Sequence, residues 1–201
     1  MIIGITGHAQ HGKDTTGRYL VERYGFHRYA FADQLKSMAL VLDPLVNSEE
    51  WGEHVRLSRM VDYGGWDEAK KDPEVRRFLQ VLGTEAVRDH LGQDSWVEAL
   101  ALKMEQDKVA SRIAAPVVDW VPLTFFEDVV VTDVRFHNEA DAIRRWSGAL
   151  WRVERPGFDN GLGTDHPSEK YVDEIIPDVT FSATSVEELL QKIDDHMRRK
   201  S

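Results

Sequence analysis

The apolar positions along the chain fall into short continuous runs and into longer helical repeats. The runs are typical of strands buried on both faces, and residues 129–131 are three consecutive valines. Strands that alternate with helices predict an α/β fold around a parallel sheet. The predicted strands are residues 1–5, 26–31, 128–133, 149–154 and 179–181, and the predicted helices are 13–24, 36–42, 75–91, 95–114, 138–146 and a C-terminal helix after 185.

Polar residues mark the expected starts of several helices. Asp33 precedes the helix predicted at 36–42, and aspartate is a common N-cap residue. Ser95 and Ser185 each stand three residues before a glutamate, which is the pattern of a capping box. Residues 43–73 carry many charges and have no clear period. We interpret them as a helix-containing insertion within a single domain that spans residues 1–201.

A glycine-rich segment links the first predicted strand to the first predicted helix. Its spacing is Gly7-x-x-x-x-Gly12-Lys13, in which the glycines let successive backbone N–H groups point at a phosphate. The helix that begins near Lys13 adds the positive end of its dipole, and the lysine supplies a charge for β- and γ-phosphates. The sequence therefore predicts a phosphate-binding loop, and the alternative is a glycine-rich turn before an ordinary helix.

The residue after this lysine departs from the usual motif. Serine or threonine normally follows the lysine and faces Mg²⁺, but here Asp14 follows it and Thr15 comes next. A Lys-x-Thr form occurs in small nucleotide kinases. We therefore expect Thr15 to supply the hydroxyl that faces the metal ion.

The helix predicted at 75–91 has one apolar face and one polar stripe. Arginine suits phosphate recognition because its planar fork bonds two oxygens at once. Gly83 lies inside this helix, where glycine costs about 1 kcal/mol relative to alanine and often marks a close approach. Either this stripe binds a phosphate and a base, or it is a solvated helix face. The apolar face comprises Val75, Phe78, Leu79, Leu82 and Ala86, and the polar stripe comprises Arg77, Gln80, Thr84 and Arg88.

A second group of polar residues follows the predicted valine strand. Asp133 ends this strand, at the sheet edge where ligands bind in open α/β folds. There it can hold Mg²⁺ through water or orient a substrate hydroxyl. Arg135, Asn138 and Glu139 follow. The first turn of an ordinary helix also explains Asn138 and Glu139, but it explains Arg135 less well.

The segment after the strand predicted at 149–154 is a long loop. Residues 156–169 contain three glycines and two prolines, and Arg155 stands immediately before them. Kinases need such a loop to exclude water during transfer, so we expect this one to act as a lid. The sequence shows no histidine cluster with metal-ligand spacing and no Ser-His-Asp spacing.

Composition narrows the function classes further. The chain has 201 residues, of which 42% are hydrophobic, enough for one well-cored domain. It has no cysteine, which excludes disulfides and zinc-thiolate sites and fits a reducing cytoplasm. It has no 18-residue apolar run, so we expect no membrane span. The net charge of −10 disfavours nucleic-acid binding, although a local cluster of cations can still hold a small phosphorylated ligand.

Five blocks of the sequence resemble the deoxynucleoside monophosphate kinases of tailed bacteriophages, within the P-loop kinase superfamily. The most specific is the Leu-Gln-x-x-Gly-Thr-Glu pattern at 79–85, with Arg88 and Trp96 downstream. The resemblance implies an α/β, P-loop kinase-type three-layer fold with a central parallel sheet, plus helical substrate-binding and lid segments. The blocks are residues 7–16, 31–36, 77–96, 131–139 and 166–169.

The resemblance also implies the reaction and the residues that serve it. ATP would donate its γ-phosphoryl group to a deoxynucleoside monophosphate with Mg²⁺ as cofactor, in a protein that is a candidate homodimer. Thr15 and Asp133 would hold the metal ion. The implied catalytic residues are Lys13, Asp133, Arg135 and Arg155. The donor phosphates would be bound by Gly7, His11, Gly12, Lys13, Asp14, Thr15 and Thr16. The acceptor would be bound by Asp33, Lys36, Arg77, Gln80, Thr84, Arg88, Trp96, Asp133, Arg135, Asn138 and Glu139.

Other functions stay open from the sequence. Another P-loop kinase of small molecules, such as a dephospho-coenzyme A kinase, shares the phosphate loop and differs in its acceptor. A non-catalytic nucleotide-binding protein would bind nucleotide without acceptor-dependent turnover. A nucleic-acid-binding P-loop protein is disfavoured by the net charge of −10. A dinucleotide-dependent oxidoreductase is disfavoured because the loop lacks the Gly-x-Gly-x-x-Gly spacing.

Overall fold

The computed structural model describes residues 1–48, 50–114, 128–158 and 167–199. The chain divides into two compact units. Unit 1 comprises Met1–Ala30 and Leu100–Ser201, and unit 2 comprises Phe31–Ala99. Each unit has a hydrophobic cluster of its own. The insertion predicted at 43–73 lies entirely in unit 2.

Strands and helices alternate through unit 1, whereas unit 2 is mostly helical. The strands are β1 (Ile2–Thr6), β2 (His27–Tyr29), β3 (Leu45–Ser48), β4 (Gly52–Arg56), β5 (Val129–Val131), β6 (Ala149–Glu154) and β7 (Val179–Ser182). The helices are α1 (Lys13–Tyr24), α2 (Phe31–Leu42), α3 (Leu57–Ala69), α4 (Pro73–Gln80), a π-helix (Val81–Arg88), α5 (Asp89–Leu91), α6 (Ser95–Ala114), α7 (His137–Arg145), α8 (Pro167–Glu174) and α9 (Val186–Arg198).

The described strands of unit 1 form one parallel sheet in the order β2-β5-β1-β6-β7. Ile3 and Ile5 of the central strand β1 pack on one face, in a cluster with residues of α1 and α9. Gly4 lies on the other face, where an added Cβ would stand 2.8 Å from the Ile143 side chain of α7. Helices therefore cover both faces of the sheet, and the predicted three-layer α/β fold is confirmed.

Three helix N-caps predicted from the sequence can be compared with the structure. α2 begins two residues before Asp33, so Asp33 lies in its first turn and is not its N-cap, and the strand predicted at 26–31 is correspondingly shorter. Ser95 is the first residue of α6, and its hydroxyl donates to the Gly92 carbonyl oxygen at 2.8 Å. These two cap predictions are wrong. Ser185 does cap α9, because its Oγ accepts from the backbone N–H three residues later at 3.2 Å.

The insertion contains a hairpin as well as a helix. β3 and β4 pair antiparallel, with Leu45 opposite Arg56. α3 follows and is kinked at Gly65, where φ is 74° and ψ is −179°. The hydrophobic pattern did not indicate the hairpin because most of β4 is exposed, so its residues lack the apolar alternation of a half-buried strand.

Two tyrosines of α1 bond one carboxylate of α9. Asp194 Oδ1 accepts from the Tyr19 hydroxyl at 2.7 Å and from the Tyr24 hydroxyl at 2.8 Å. These bonds, that of Tyr19 first, hold the pKa of Asp194 below its usual value of 3.8. Burial, and then the bond to Asp194, raises the pKa of Tyr24 to about 12. The three side chains thus join the first and last helices of unit 1.

We expect Asp194→Ala to lower the free energy of unfolding at pH 7 by about 2 kcal/mol, because two hydrogen bonds to a charged group are lost. Since the folded pKa is depressed, this stabilisation is present above the unfolded pKa and is lost as the pH falls through the folded value. Urea unfolding at pH 7 and at low pH measures both effects. The control is Asp195→Ala, which removes the same charge from an exposed neighbour. Equal destabilisation by the two substitutions would contradict the assignment.

Candidate functional site

The predicted phosphate-binding loop connects β1, the central strand of the sheet, to α1. Gly7 has a φ of 142°, and a Cβ added there would stand 2.4 Å from the backbone oxygen of Val153, so a side chain does not fit. Lys13 is only 7% exposed. Its Nζ donates to the carbonyl oxygens of Gly7 and His8, both at 2.7 Å. The loop therefore has the expected strand–loop–helix geometry, and its own carbonyls hold the lysine.

The side chains near the loop include oxygen atoms of the kind that bind a magnesium ion. Thr15 is half-buried in the first turn of α1, and Asp133 is half-buried just after β5. The fully buried hydroxyl of Thr16 has no hydrogen-bond partner among the described residues. Mg²⁺ takes one or two protein oxygens and completes its shell with water and substrate phosphates. Within the described ranges, no group of three or more His, Cys, Asp or Glu residues is placed to hold a metal ion.

The turn between β5 and α7 is held by a buried carboxylate. Glu139 is 3% exposed, and its Oε2 accepts from the backbone N–H groups of Arg135 at 2.8 Å and Phe136 at 3.1 Å. Glu139 therefore fixes the backbone of the turn, which agrees with the first-turn explanation from the sequence. Asp133, Arg135 and Asn138 are half-buried in the same segment.

Arg155 lies beside the phosphate loop. Its backbone N–H donates to Nδ1 of His11 at 3.3 Å, and its guanidinium stands 4.5 Å from the centroid of the Phe158 ring. The same ring meets the His11 ring edge-on at 6.1 Å. The structure thus brings together two residues that lie 144 positions apart in the sequence. Residues 159–166, which are most of the predicted lid, lie outside the described residues. The last part of the predicted loop, residues 167–169, forms the start of α8, so the prediction of a loop there is wrong.

One residue of the loop that the sequence analysis did not single out makes two contacts of interest. His8 Nε2 lies 2.9 Å from Asp173 Oδ1 of α8, and its ring stands 5.5 Å from the His11 ring. Position 8 is variable in the motif, so the spacing of glycines and lysine carried no signal for it. Only the presence of two imidazoles within one phosphate loop distinguished it.

The helix predicted at 75–91, which lies in unit 2, is not one regular α-helix. Its middle, Val81–Arg88, is a π-helix of eight residues. A π-helix bonds i to i+5, so the spacing of residues on one face grows. Leu82 and Val87, five positions apart, are both buried, whereas Ala86, predicted on the apolar face, is exposed. The prediction for Ala86 is wrong because the turn takes one residue more than the α-helical period allows.

The π-helix also divides the predicted polar stripe. Arg77, before it, is exposed, and its Nε lies 3.6 Å from Glu74. Arg88, at its end, is 4% exposed, and its Nη1 donates to the Gln93 carbonyl oxygen at 3.3 Å. The two arginines therefore do not share one solvated face, and the prediction of a single stripe is wrong. Gln80 is exposed and Thr84 half-buried.

Gly83 does mark a close approach, as its position inside the helix suggested. A Cβ added at Gly83 would stand 3.1 Å from the Leu35 side chain of α2. The Gly83 carbonyl oxygen accepts from the indole N–H of Trp96 at 2.9 Å, and Trp96 is 5% exposed. Trp96 therefore supports the helix from within unit 2. On α2 itself, Lys36 Nζ lies 3.8 Å from Asp33 Oδ1, and both side chains are half-buried.

We expect Trp96→Phe to lower the free energy of unfolding by about 1–2 kcal/mol, because it removes the hydrogen bond from the Trp96 indole N–H to the buried Gly83 carbonyl oxygen. Denaturant unfolding measures the change. The control is Trp66→Phe, which alters a half-buried tryptophan packed against the same cluster of unit 2. A Trp96→Phe protein as stable as the wild type would show that the bond does not support the helix.

Comparison with known proteins decides the family. A protein of Acanthamoeba polyphaga mimivirus named "Putative deoxynucleotide monophosphate kinase" is 30% identical over 176 residues, which cover 84% of this chain and 80% of that protein. The chain belongs to the deoxynucleotide monophosphate kinase family. It is therefore a P-loop kinase related to nucleotide kinases, and the resemblance found in the sequence is confirmed. No protein-family model matches this kinase.

Solved structures resemble the kinase only loosely. TT1252 from Thermus thermophilus has a TM-score of 0.47 at 16% identity, covering 100% of this chain and 97% of that one. Shikimate kinase from Aquifex aeolicus has a TM-score of 0.44 at 13% identity, covering 98% and 96%. Similarity at this level says nothing about the kinase's substrate. Among the described residues, none of the kinase's helices is both long and apolar enough to cross a membrane.

Proposed function

We propose that the protein transfers the γ-phosphoryl group of ATP to a deoxynucleoside monophosphate, giving the diphosphate and ADP, and so supplies nucleotides for DNA synthesis. The observation that carries the proposal is the phosphate loop. Lys13 is buried there and held by the carbonyls of Gly7 and His8. The mimivirus relative, which is 30% identical to this chain over 176 residues, is named for the same class of reaction.

We assign the donor side to unit 1. Phosphoryl transfer asks for alignment and charge neutralisation more than for covalent chemistry. Lys13 and Arg155 supply positive charge next to the loop, and Thr15 and Asp133 would hold Mg²⁺. When bound, Mg²⁺ neutralises charge on the β- and γ-phosphates. The backbone N–H groups of the loop and the start of α1 bind the phosphates themselves.

We assign the acceptor to a reduced set of the residues that the resemblance implied. A monophosphate is already a competent nucleophile, so no strong general base is needed. Glu139, Arg88 and Trp96 are buried and bonded to protein atoms, so we give them supporting roles. The residues that we propose for acceptor binding are Asp133, Arg135 and Asn138 in unit 1, and Asp33, Lys36, Arg77, Gln80 and Thr84 in unit 2.

The test is ADP production from ATP and Mg²⁺ with a panel of acceptors. The panel contains the four common deoxynucleoside monophosphates, their ribose forms, dephospho-coenzyme A, and a reaction without acceptor. Turnover that depends on one or more deoxynucleoside monophosphates is the expected result. Turnover with dephospho-coenzyme A alone would identify the other kinase class. Nucleotide binding with no acceptor-dependent turnover would identify a non-catalytic nucleotide-binding protein.

A further inference from the structure

The last two residues of α8 pair with two histidines of unit 1. Asp173 Oδ1 lies 2.9 Å from Nε2 of His8, in the phosphate loop. Glu174 Oε2 lies 2.9 Å from Nε2 of His137, the first residue of α7. Both carboxylates are exposed, Asp173 by 71% and Glu174 by 60%. Two neighbouring acids thus make the same kind of contact, but only one of them reaches the phosphate loop.

His8 connects α8 to the lysine of the phosphate loop. A carboxylate can only accept a hydrogen bond, so Nε2 of His8 carries the proton in its contact with Asp173. The backbone carbonyl of the same residue accepts from Lys13 Nζ at 2.7 Å. Asp173 therefore fixes the side chain of a residue whose main chain holds Lys13.

The helix that carries Asp173 is firmly anchored within unit 1. Val172 and Ile175, on either side of the two acids, are 1% and 2% exposed. Arg152 of β6 donates through Nη2 to the carbonyl oxygens of both residues. Arg144 of α7 donates through Nη2 to the Ile176 carbonyl oxygen at 2.7 Å. Because cations also suit the C-terminal end of a helix, these contacts fix α8 as a support for the loop.

We propose that Asp173 is a positioning residue for the donor nucleotide: its bond to His8 holds the phosphate loop in the shape that binds the phosphates. A loop held in its binding conformation loses less entropy when the ligand arrives, which raises affinity. The negative charge of Asp173 acts in the opposite direction, by repelling the phosphates. That charge is well exposed and screened by solvent, so the hydrogen bond dominates. The inference rests on the proposed function for the identity of the nucleotide.

Isothermal titration of the full-length protein with ADP separates the two effects of Asp173. Asp173→Ala removes both bond and charge, and we expect it to weaken ADP binding about fivefold. Asp173→Asn keeps an oxygen acceptor for His8 and removes only the charge, so we expect affinity equal to or slightly above that of the wild type. The matched control is Glu174→Ala, which breaks the adjacent pair with His137 and is expected to leave ADP binding unchanged.

A double-mutant cycle with His8→Ala tests the path of the effect. If Asp173 acts through His8, the variant with both substitutions binds ADP no more weakly than whichever single variant has the lower affinity. Additive losses would overturn the proposed path. The inference is also overturned if Asp173→Ala binds ADP as tightly as the wild type, or if Glu174→Ala weakens binding equally.

Kinetics distinguish this inference from the proposed function. In the kinase assay, Asp173→Ala is expected to raise the KM for ATP with little change in kcat, because the bond is made before the chemical step. A wild type that binds ADP but turns over no deoxynucleoside monophosphate refutes the proposed function and leaves the role of Asp173 to be decided by the titrations alone. A wild type that does not bind ADP overturns both.

Discussion

Lys13→Ala is expected to abolish phosphoryl transfer, with a loss in kcat on the order of 1,000-fold or more. The lysine is the buried cation of the phosphate loop, 7% exposed, and its Nζ reaches the carbonyl oxygens of Gly7 and His8. When a nucleotide binds, its phosphate oxygens lie within reach of the Lys13 amine. The amine then supplies positive charge as the γ-phosphoryl group leaves. Alanine removes that charge and leaves every other residue of the loop in place.

The measurement is the initial rate of ADP formation with saturating ATP, Mg²⁺ and acceptor, alongside thermal unfolding to show that the fold is intact. Lys13→Met, which keeps most of the apolar stem, should be as inactive as the alanine variant. The matched control is Lys192→Ala, since Lys192 Nζ also donates to a backbone carbonyl of unit 1, that of Ser182. Activity of Lys13→Ala within tenfold of the wild type would refute the phosphate-loop assignment.

The parts of the fold that the sequence predicted well are those fixed by local physics. Continuous apolar residues such as 129–131 must be buried on both faces, and they form β5 inside the sheet. The phosphate loop was equally readable, because a backbone that curls to φ of 142° at position 7 needs glycine there. The valine run and the glycine spacing each lie within the element that they predict. Each could therefore be found without knowledge of the rest of the chain.

The α-helical period of the hydrophobic pattern does not predict the π-helix. Counting 100° per residue from Leu82 makes Ala86 the next apolar position, although Val87 is larger and follows directly. The spacing of five between Leu82 and Val87 was the available signal. The α-helical period instead puts Arg88 on one polar stripe with Arg77, whereas the structure buries Arg88.

The link between the phosphate loop and α8 had no local signal at all. His8 and Asp173 are 165 positions apart, and neither belongs to a spacing that a motif records. The same holds for the bond from the Trp96 indole to the Gly83 carbonyl, which joins two helices. Contacts of this kind depend on tertiary packing. Sequence reasoning therefore proposes candidate residues for chemistry but does not predict the contacts that hold the loop and the π-helix in place.

Asp133→Ala is expected to lower kcat by about 100-fold, which corresponds to about 3 kcal/mol of lost transition-state stabilisation. Asp133 is half-buried two residues after β5, in the turn whose backbone Glu139 fixes through the N–H groups of Arg135 and Phe136. A carboxylate at this position suits either orientation of a metal-bound water or orientation of the acceptor. Because those contacts matter most at the transition state, kcat should fall more than the KM for ATP rises.

Substitutions of Asp133 and of Glu139 are expected to differ in their effects on activity and stability. If Asp133 acts chemically and Glu139 only fixes the turn, Asp133→Asn should lose activity without losing stability, since the amide keeps the shape but not the charge. Glu139→Ala should lose stability as well, because two half-buried backbone N–H groups lose the carboxylate that accepts from them. Asp141→Ala, which removes an exposed carboxylate of α7, serves as the charge control. An Asp133→Ala enzyme with near-normal kcat would remove Asp133 from the reaction and leave Lys13 and Arg155 as the groups that neutralise charge.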